Sequence, residues 1–261
     1  MSDGENAQTD ILFITAFKDI NRHLWRHYGR TNEEYFECFM RLANNIKYTL
    51  IVYVDNYIKD ELISKYSFAS NIIFRDMTTV DTFLNKYVST DKAIMNSEIY
   101  KNKIPLDRKL NPEHCFSEYN LINHSKINFV KDSQIHYPNY EYYSWIDFGY
   151  VKNNDSIPRN INLSRIPKKI IYHCIRQPTY RIDPNTMLRS HDIYITGSSF
   201  IVHSSLVCKF NELWENKIIE WQKINITDDD QSLILQIYYD NPELFNLIQN
   251  NSWFSLFNII T

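Results

Sequence analysis

The sequence has few of the residues that build the common nucleotide-binding loops. Only 4 glycines occur in 261 residues, and neither a Gly-x-Gly-x-x-Gly segment nor a phosphate-loop motif is present. The Gly-x-Ser-x-Gly turn of the serine hydrolases is also missing. These absences exclude the dinucleotide-binding fingerprint, the phosphate-loop NTPases and a serine-hydrolase elbow.

Cysteine is scarce and unclustered. The 4 cysteines, at positions 38, 115, 174 and 208, form no Cys-x-x-Cys pair. Their spacing excludes the common zinc and disulfide frameworks and is typical of free thiols in a reducing compartment. No apolar run approaches the roughly 20 residues of a membrane span, and no signal peptide is recognisable. We therefore expect a soluble, cytoplasmic protein without a transmembrane segment.

Neither sign of charge is in large excess. Lysine and arginine number 28, aspartate and glutamate 31, and the formal net charge is −3. Because no basic stripe is present, no nucleic-acid partner is expected. Aromatic residues make up 15% of the chain, with 19 tyrosines, and such rings suit sugars and bases. An AT-rich genome would favour the same composition, however, and no feature indicates an oligomeric state.

Apolar runs and helical patterns alternate along the first half of the chain. Residues 11–17 form a continuous apolar run, as expected of a strand buried in a parallel sheet. Thr31 and Glu34 have the spacing of a capping box, and apolar residues follow at helical intervals. Further strands are predicted at 48–54 and 71–74, with helices at 58–66 and 80–88. The alternation favours an α/β fold with a doubly wound, mostly parallel sheet flanked by helices.

The second half continues the pattern with longer irregular stretches. Residues 89–140 are predicted to be mostly helical, and a short apolar strand follows at 143–146. The remaining predicted elements are strands at 169–174, 193–204 and 244–248 and helices at 207–223 and from 228 to about 239. Since no repeat or linker is visible, we expect one domain over 10–261 after a polar, disordered segment at 1–9.

Asp147 is the strongest candidate for a functional residue. It ends the strand at 143–146, and Gly149, one of the few glycines, follows two residues later. Ligands of α/β sheets bind at the carboxyl ends of strands, and a glycine there allows backbone and ligand to approach closely. A carboxylate in this position commonly holds a hard cation on a diphosphate. The alternative is an ordinary aspartate that opens a turn.

The carboxyl ends of the first two predicted strands offer further nucleotide-binding candidates. Thr15, Ala16 and Phe17 end the first strand, and Arg22 in the following loop could pair with a diphosphate. Asp55 ends the second strand and could hydrogen-bond a ribose or uracil. Each residue has an ordinary alternative, because Arg22 could be a surface arginine and Asp55 could cap the next helix.

Three consecutive acids, Asp228, Asp229 and Asp230, precede Gln231 at a predicted helix start. Acids favour helix N-termini in any case, but three exceed what one cap needs. Asp228 is predicted to cap the helix, and Asp229 or Asp230 to act as a catalytic base or to bind a sugar hydroxyl. Gln231 adds a neutral donor and acceptor for the substrate.

A small-residue bend is the last candidate region. Gly197 and Ser198 leave space for a bulky substrate, although a β-bulge would use the same residues. His203 follows this bend and is the histidine to test as a metal ligand, while a lone histidine is more often a satisfied polar residue.

The order and spacing of several short motifs resemble those of the HtrL/YibB family, whose members look like sugar-nucleotide transferases of the GT-A fold. The motifs are Thr15, Ala16, Phe17, Asp19, Ile20 and Arg22; Glu34, Tyr35 and Phe36; Lys126, Phe129 and Val130; Trp145, Ile146, Asp147 and Gly149; Asp229, Asp230 and Gln231; and Asn241, Pro242, Glu243, Leu244 and Phe245. The resemblance spans nearly the whole chain after residue 10.

The resemblance implies a single GT-A-like domain with two functional halves. Residues 10–150 would bind a nucleotide sugar, most plausibly a UDP-sugar, and residues 151–261 a glycan or another hydroxyl acceptor. Asp147 would hold Mn²⁺ or Mg²⁺ on the diphosphate. The sequence departs from the usual metal motif at Gly149, where a second acid would stand, so the cation would need another ligand.

The expected activity is therefore that of a glycosyltransferase. One alternative is a catalytically silent carbohydrate- or nucleotide-binding module on the same fold, which the single acid at Asp147 would suit. Another is a nucleotidyltransferase, which would require a glycine-rich, basic loop after the first strand; the sequence has none.

Overall fold

Seven strands form one sheet in the part of the chain that the structure describes. The structure is a computed structural model that describes residues 11–153, 158, 161–190, 192–250, 252–254 and 256–259; the segment predicted to be disordered, 1–9, lies outside them. The strands are β1 (Ile11–Phe17), β2 (Leu50–Val54), β3 (Ile72–Asp76), β4 (Tyr142–Ile146), β5 (Ile170–Cys174), β6 (Ile195–His203) and β7 (Phe245–Gln249).

Helices flank both faces of this sheet. They are α1 (Asn32–Ala43), α2 (Asn56–Lys65), α3 (Phe83–Asn96), α4 (Glu98–Lys101), α5 (Pro112–Cys115), α6 (Ser117–His124), α7 (Lys126–His136), α8 (Pro184–Met187), α9 (Val207–Lys223), α10 (Asp230–Asp240) and α11 (Leu256–Ile259). None of the helices in these described ranges is both long and apolar enough to cross a membrane.

The sheet is mixed but mostly parallel, which confirms the predicted fold class. Its strand order is β3-β2-β1-β4-β6-β5-β7. β1 pairs in parallel with β2 and β4, and β5 pairs in parallel with β7. β6 alone is antiparallel to both of its neighbours, β4 and β5. Its reversed direction brings the start of β6 to the end of β4.

The core lies on both faces of the sheet, which explains the continuous apolar run of β1. Leu12 and Ile14 pack in the cluster that includes the apolar side chains of α3, α7, α9 and α10. Ile11 and Phe13 point to the other face and pack with side chains of α1 and α2. Each large apolar side chain buried in this way contributes roughly 1.5–3 kcal/mol to the free energy of unfolding.

Hydrogen bonds of side chains define several helix starts. The predicted capping box of α1 is present: Thr31 accepts a hydrogen bond from the Glu34 N–H at 3.2 Å, and Glu34 accepts one from the Thr31 N–H at 2.7 Å. Thr82 caps α3 by accepting the Asn85 N–H at 3.2 Å. The helix predicted at 80–88 therefore begins three residues later, and it continues to Asn96.

Candidate active site

A cavity of about 300 Å³ lies where the carboxyl ends of β1 and β4 meet the amino ends of β6, α7 and α10. The described residues that line it are Ala16, Phe17, Lys18, Asp19, Ile20, Arg22, Arg30, Asn32, Tyr35, Tyr119, Ile122, Asn123, Lys126, Phe129, Trp145, Asp147, Phe148, Gly149, Lys152, Gly197, Ser198, Asp230, Gln231, Trp253 and Phe254. Cavities of this size hold small-molecule ligands.

Lys126 joins the two acids that the sequence singles out. Its ammonium Nζ lies 2.7 Å from Asp230 Oδ2 and 3.0 Å from Asp147 Oδ1. It also donates a hydrogen bond to the carbonyl oxygen of Gly197 at 2.8 Å. An ammonium group has three N–H donors, so the three acceptors saturate it. The three elements α7, β4 and α10 thus converge on one buried cation.

The two carboxylates of this cluster stabilise the charged form of Lys126. Burial alone would lower the pKa of the Lys126 amine, but Asp147 and Asp230 outweigh it and raise the pKa above its ordinary value. Lys126 is also the first residue of α7, where the helix dipole disfavours a positive charge. A lysine charged in that position depends on its two carboxylate partners.

Asp147 is held through its backbone N–H and through one oxygen of its carboxylate, Oδ1. Its N–H donates to the Ser198 carbonyl at 2.9 Å, across the β4–β6 pair. Its carboxylate accepts the indole N–H of Trp145 at 2.8 Å. Burial raises the pKa of the Asp147 carboxyl, Lys126 opposes that rise, and the nearby charge of Asp230 adds to it. The side chain is therefore preorganised in one position.

Two glycines allow close approaches at this site. A Cβ at position 149 would lie 3.2 Å from the ring of Tyr35, which is tighter than ordinary contact. A Cβ at position 197 would lie 2.6 Å from Asp230 Oδ1 and closer still to the other carboxylate atoms. Glycine is therefore required at 197 for Asp230 to occupy its position, and the bend is more specific than the sequence indicates.

The three consecutive acids have three different environments, which corrects the predicted helix cap. Asp229, and not Asp228, is the N-cap of α10, and its carboxylate accepts the N–H groups of Gln231 and Ser232 at 3.0 and 3.4 Å. Asp228 is buried and accepts the Asp229 N–H at 3.0 Å. The prediction is wrong by one residue, because the first helical residue of α10 is Asp230 and not Asp229.

Burial also shifts the pKa values of Asp228 and Asp229. It raises the pKa of Asp228 to about 6 and that of Asp229 well above its ordinary value, with the neighbouring aspartates adding to the rise for Asp229. Asp230, which faces Lys126, belongs to the first cavity. Asp228 and Asp229 line a second cavity instead.

The second cavity, of about 290 Å³, adjoins the first. Arg22, Tyr119 and Gln231 line both cavities. The other described residues that line it are Tyr28, Arg108, Asn111, Pro112, Glu113, Met187, Ser190, Asp192, Ile193, Tyr194, Asp228, Asp229, Ser232 and Leu235. The two cavities thus meet beside the amino end of α10.

Most of the residues that the sequence predicts for binding come together in the first cavity. They are Ala16, Phe17, Arg22, Asp147, Gly149, Gly197, Ser198, Asp230 and Gln231. Thr15 is fully buried on the face of β1 that carries Phe13, and its hydroxyl has no hydrogen-bond partner among the described residues. Asp55 contacts Lys18 at 3.4 Å and makes no side-chain cap hydrogen bond to α2. Neither Thr15 nor Asp55 is among the described residues that line either cavity.

The structure places His203 far from Asp147, the other residue predicted to bind a metal, so the two do not form one site. In the antiparallel β4–β6 pair, His203 lies opposite Tyr142, whereas Ser199 lies opposite Ile146. Five residues of strand therefore separate His203 from Asp147, or about 16 Å. His203 instead lies 2.8 Å from the Ser205 hydroxyl and 3.5 Å from Glu141.

The space between Asp147 and Asp230 does not fit a divalent cation. Within the described residues, no group of three or more histidine, cysteine, aspartate or glutamate side chains is placed to hold a metal ion. The position between the carboxylates of Asp147 and Asp230 belongs to the ammonium of Lys126. A protonated lysine and a divalent cation exclude each other there by charge and by volume.

Sequence reasoning missed the central cation and much of the basic lining. Lys126 was visible only as part of a family motif, since no spacing relates it to Asp147 or Asp230. Arg30 and Lys152 also line the first cavity. Neither carries a local sequence signal, because each enters the cavity from an irregular segment.

The fold and the site define an α/β protein in which a buried lysine joins two aspartates at the carboxyl ends of the central strands β1 and β4. The chain belongs to the HtrL_YibB family, described as bacterial proteins of unknown function, whose profile matches residues 9–261. It is similar to protein HtrL of Escherichia coli (strain K12), with 26% identity over 276 residues that cover 96% of this chain and 92% of the relative.

Solved structures with distant similarity include mouse xyloside xylosyltransferase 1, with a TM-score of 0.45, 13% identity and coverage of 92% of this chain and 84% of that one. A glycosyltransferase involved in glycosylation of the major capsid of PBCV-1 has a TM-score of 0.44, 11% identity and coverage of 92% and 81%. The 4-diphosphocytidyl-2C-methyl-D-erythritol synthase of Anaerococcus prevotii DSM 20548 has a TM-score of 0.38, 11% identity and coverage of 93% and 87%. At these scores, function has to be inferred from the residues of the site.

Proposed function

We propose that this protein is a glycosyltransferase that moves a sugar from a nucleotide-sugar donor, a UDP-sugar in our proposal, to a hydroxyl acceptor. The observation that carries the proposal is the cluster of Asp147, Lys126 and Asp230 at the floor of a ligand-sized cavity. Open α/β sheets bind ligands at this edge. Paired carboxylates suit glycosyl chemistry because the transition state has oxocarbenium character.

The first cavity would receive the donor. Tyr35 and Trp253, which are only half-buried, line this cavity with rings of the kind that stack on bases and sugars. Arg22 is oriented by a 2.6 Å hydrogen bond to the Tyr35 hydroxyl, and no carboxylate among the described residues lies within 4 Å of it. Its guanidinium is therefore available for an anionic group such as a diphosphate.

Asp230 would act on the acceptor. Its side chain is only 8% exposed, and Lys126 holds it at the cavity wall. The ion pair fixes the carboxylate in one position, and a general base has to be positioned within hydrogen-bond reach of the proton it takes. If the enzyme inverts the anomeric centre, Asp230 takes the proton of the acceptor hydroxyl; if it retains, Asp230 orients donor and acceptor. Asp229 is committed to the α10 cap and would act through position and not as the base.

The second cavity would receive the acceptor. It opens beside Gln231, which faces both cavities, and it is lined by acids and by the backbone after α8. Carboxylate, amide and hydroxyl groups of this kind bind sugar hydroxyls through hydrogen bonds. Most residues of the first cavity come from 10–150 and most residues of the second from 151–261, which supports a donor half and an acceptor half, while each cavity also takes residues from the other half.

Donor hydrolysis tests the proposal. Incubated with UDP-sugars and no acceptor, the protein should release UDP slowly, and Asp230→Asn should reduce this release. Asp81→Asn is the control, because it changes an acid whose side chain is 75% exposed, and it should leave the release unchanged.

A thermal-shift measurement tests the donor assignment. UDP should raise the melting temperature more than GDP or CMP, by mass action. Binding of UDP-sugars without any turnover would indicate a silent binding module. Pyrophosphate release from a nucleoside triphosphate would indicate a nucleotidyltransferase.

A further inference from the structure

The first cavity has a basic rim in addition to its buried cluster. Arg30 and Lys152 both line it, from the segment before α1 and from the loop after β4. Lys152 Nζ would lie 3.7 Å from a Cβ at Gly149, so it stands beside the loop that carries Asp147. The two cations therefore reach the cavity from segments that are far apart in the sequence.

These two cations lack acidic partners. Among the described residues, no carboxylate lies within 4 Å of Arg30 or Lys152, in contrast to Lys126 and Lys217, which each contact two. Arg30 stacks over the ring of Tyr35 at 5.0 Å, and Lys152 Nζ lies 3.7 Å from the thiol of Cys38. Burial, followed by the charge on Arg30, lowers the pKa of the Lys152 amine.

The backbone places Lys152 firmly, although its side chain stays open to solvent. The Lys152 carbonyl accepts a hydrogen bond from Arg41 at 3.1 Å, and the Lys152 N–H donates to the Tyr150 carbonyl at 3.0 Å. Two like charges held together at a cavity mouth repel each other, and a bound anion relieves that repulsion. The rim is thus built for an anionic group.

We infer that Arg30 and Lys152 bind and neutralise the diphosphate of the donor, in the role that a divalent metal would otherwise have. The space between Asp147 and Asp230 is closed to a metal, because the Lys126 ammonium fills it and contacts both carboxylates and the Gly197 carbonyl. This inference rests on the proposed function, since it concerns the diphosphate of the same donor.

The chemistry balances without a metal. The bond between the anomeric carbon and the oxygen of the distal phosphate breaks, and its electron pair stays on that oxygen. The acceptor oxygen bonds to the anomeric carbon and loses its proton to a base. The negative charge that develops on the leaving diphosphate meets the guanidinium of Arg30 and the ammonium of Lys152, which stabilise it as fixed cations do at phosphoryl groups.

Calorimetric titration of the full chain with UDP and with inorganic pyrophosphate tests the inference. We expect the same affinity within about twofold in EDTA and in Mn²⁺. Arg30→Gln and Lys152→Met should each weaken both probes by at least about tenfold. Lys168→Met, which removes an exposed lysine outside both cavities, should bind like wild type.

Electron paramagnetic resonance of Mn²⁺ adds a readout that is independent of activity. Wild-type protein should leave the signal of free Mn²⁺ the same as in a solution of Mn²⁺ and UDP without protein. Lys126→Ala vacates the space between Asp147 and Asp230, and this variant should decrease the signal. Uptake of Mn²⁺ by the wild type that Asp147→Asn prevents would overturn the inference and leave the transferase standing. So would UDP binding that EDTA abolishes, or variants of Arg30 and Lys152 that both bind like wild type.

The pyrophosphate titration separates the two proposals. If no nucleoside diphosphate binds and no nucleotide sugar is hydrolysed, the proposed function fails. Metal-free pyrophosphate binding that Lys152→Met weakens would then still establish the anion site.

Discussion

Gly197 and Asp230 approach so closely that no side chain fits at position 197. A Cβ there would overlap the Asp230 carboxylate, lying 2.6 Å from Oδ1. The Gly197 carbonyl and the Asp230 carboxylate also share the ammonium of Lys126 as hydrogen-bond donor. The conformation of Asp230 is therefore set by a residue on a different element, β6, and by a cation on α7.

Gly197→Ala should displace Asp230 and lower the transfer or donor-hydrolysis rate by at least about tenfold, while the overlap costs about 1–3 kcal/mol of unfolding free energy. Turnover and denaturant unfolding measure the two effects. A double-mutant cycle with Asp230→Asn provides the control. In that background Gly197→Ala should slow turnover little further, because the carboxylate it displaces is already gone. If the two substitutions raised the activation free energy by independent amounts that simply add in the double variant, Gly197 would not act through Asp230.

Lys126→Met should destabilise the protein by about 3 kcal/mol, because it leaves the buried Asp230 carboxylate and the partly exposed Asp147 carboxylate without the cation between them. Chemical unfolding at pH 7 measures the loss. The loss should shrink as the pH falls, since burial raises the pKa of the Asp147 carboxyl and protonation of that group removes its repulsion of Asp230. Lys217→Met is a matched control, because Lys217 has the same 8% side-chain exposure and also contacts two acids, Glu220 and Asp240, away from the cavities. It should lose stability but, when folded, bind UDP like wild type. A Lys126→Met protein as stable as wild type would show that the cluster is not charged as described.

Asp230→Asn should lower turnover by at least roughly a hundredfold, the scale for loss of a positioned base. The ion pair with Lys126 means that stability should fall as well, in contrast to an exposed helix-start acid. Asp229→Ala should instead cost about 1 kcal/mol by removing the α10 cap, and Asp229→Asn should restore the cap. Rates and melting temperatures of the three variants test this division. Wild-type turnover in Asp230→Asn would remove the base assignment.

Asp228 should make stability depend on pH between about pH 4 and pH 6. Burial raises its folded pKa to about 6, above the value in the unfolded chain. In that window the folded state binds more protons than the unfolded state, so the free energy of unfolding decreases as the pH rises. Asp228→Asn removes this titration while its amide oxygen can still accept the Asp229 N–H. The variant should gain stability relative to wild type on going from pH 4 to pH 8, by up to about 3 kcal/mol. A difference that does not change with pH would show that Asp228 does not titrate in this range.

The sequence predicted helices and strands well wherever the apolar residues of a segment follow one helical or strand pattern throughout. The run at 11–17 and the amphipathic stretch at 207–223 match β1 and α9 residue for residue. Boundaries set by one side-chain hydrogen bond were missed, as at Thr82, which begins α3 three residues later than predicted. The N-cap of α1 was predicted correctly from the capping box of Thr31 and Glu34. The N-cap of α10 was predicted at Asp228, whereas the structure has Asp229 in that position.

The sequence by itself determined the α/β alternation, the acid at the end of β4, the acids at the start of α10 and the glycine bend of β6, because each is written in residues close together in the chain. Only the tertiary structure decided which of them meet. The antiparallel direction of β6 brings Gly197 close to Asp147 and places His203 at the opposite end of the strands, beside the first residue of β4. The packing of α7 against the sheet places Lys126 between acids 21 and 104 residues away. Electrostatic attraction across such separations depends on distance in space, and no local period of the sequence encodes it.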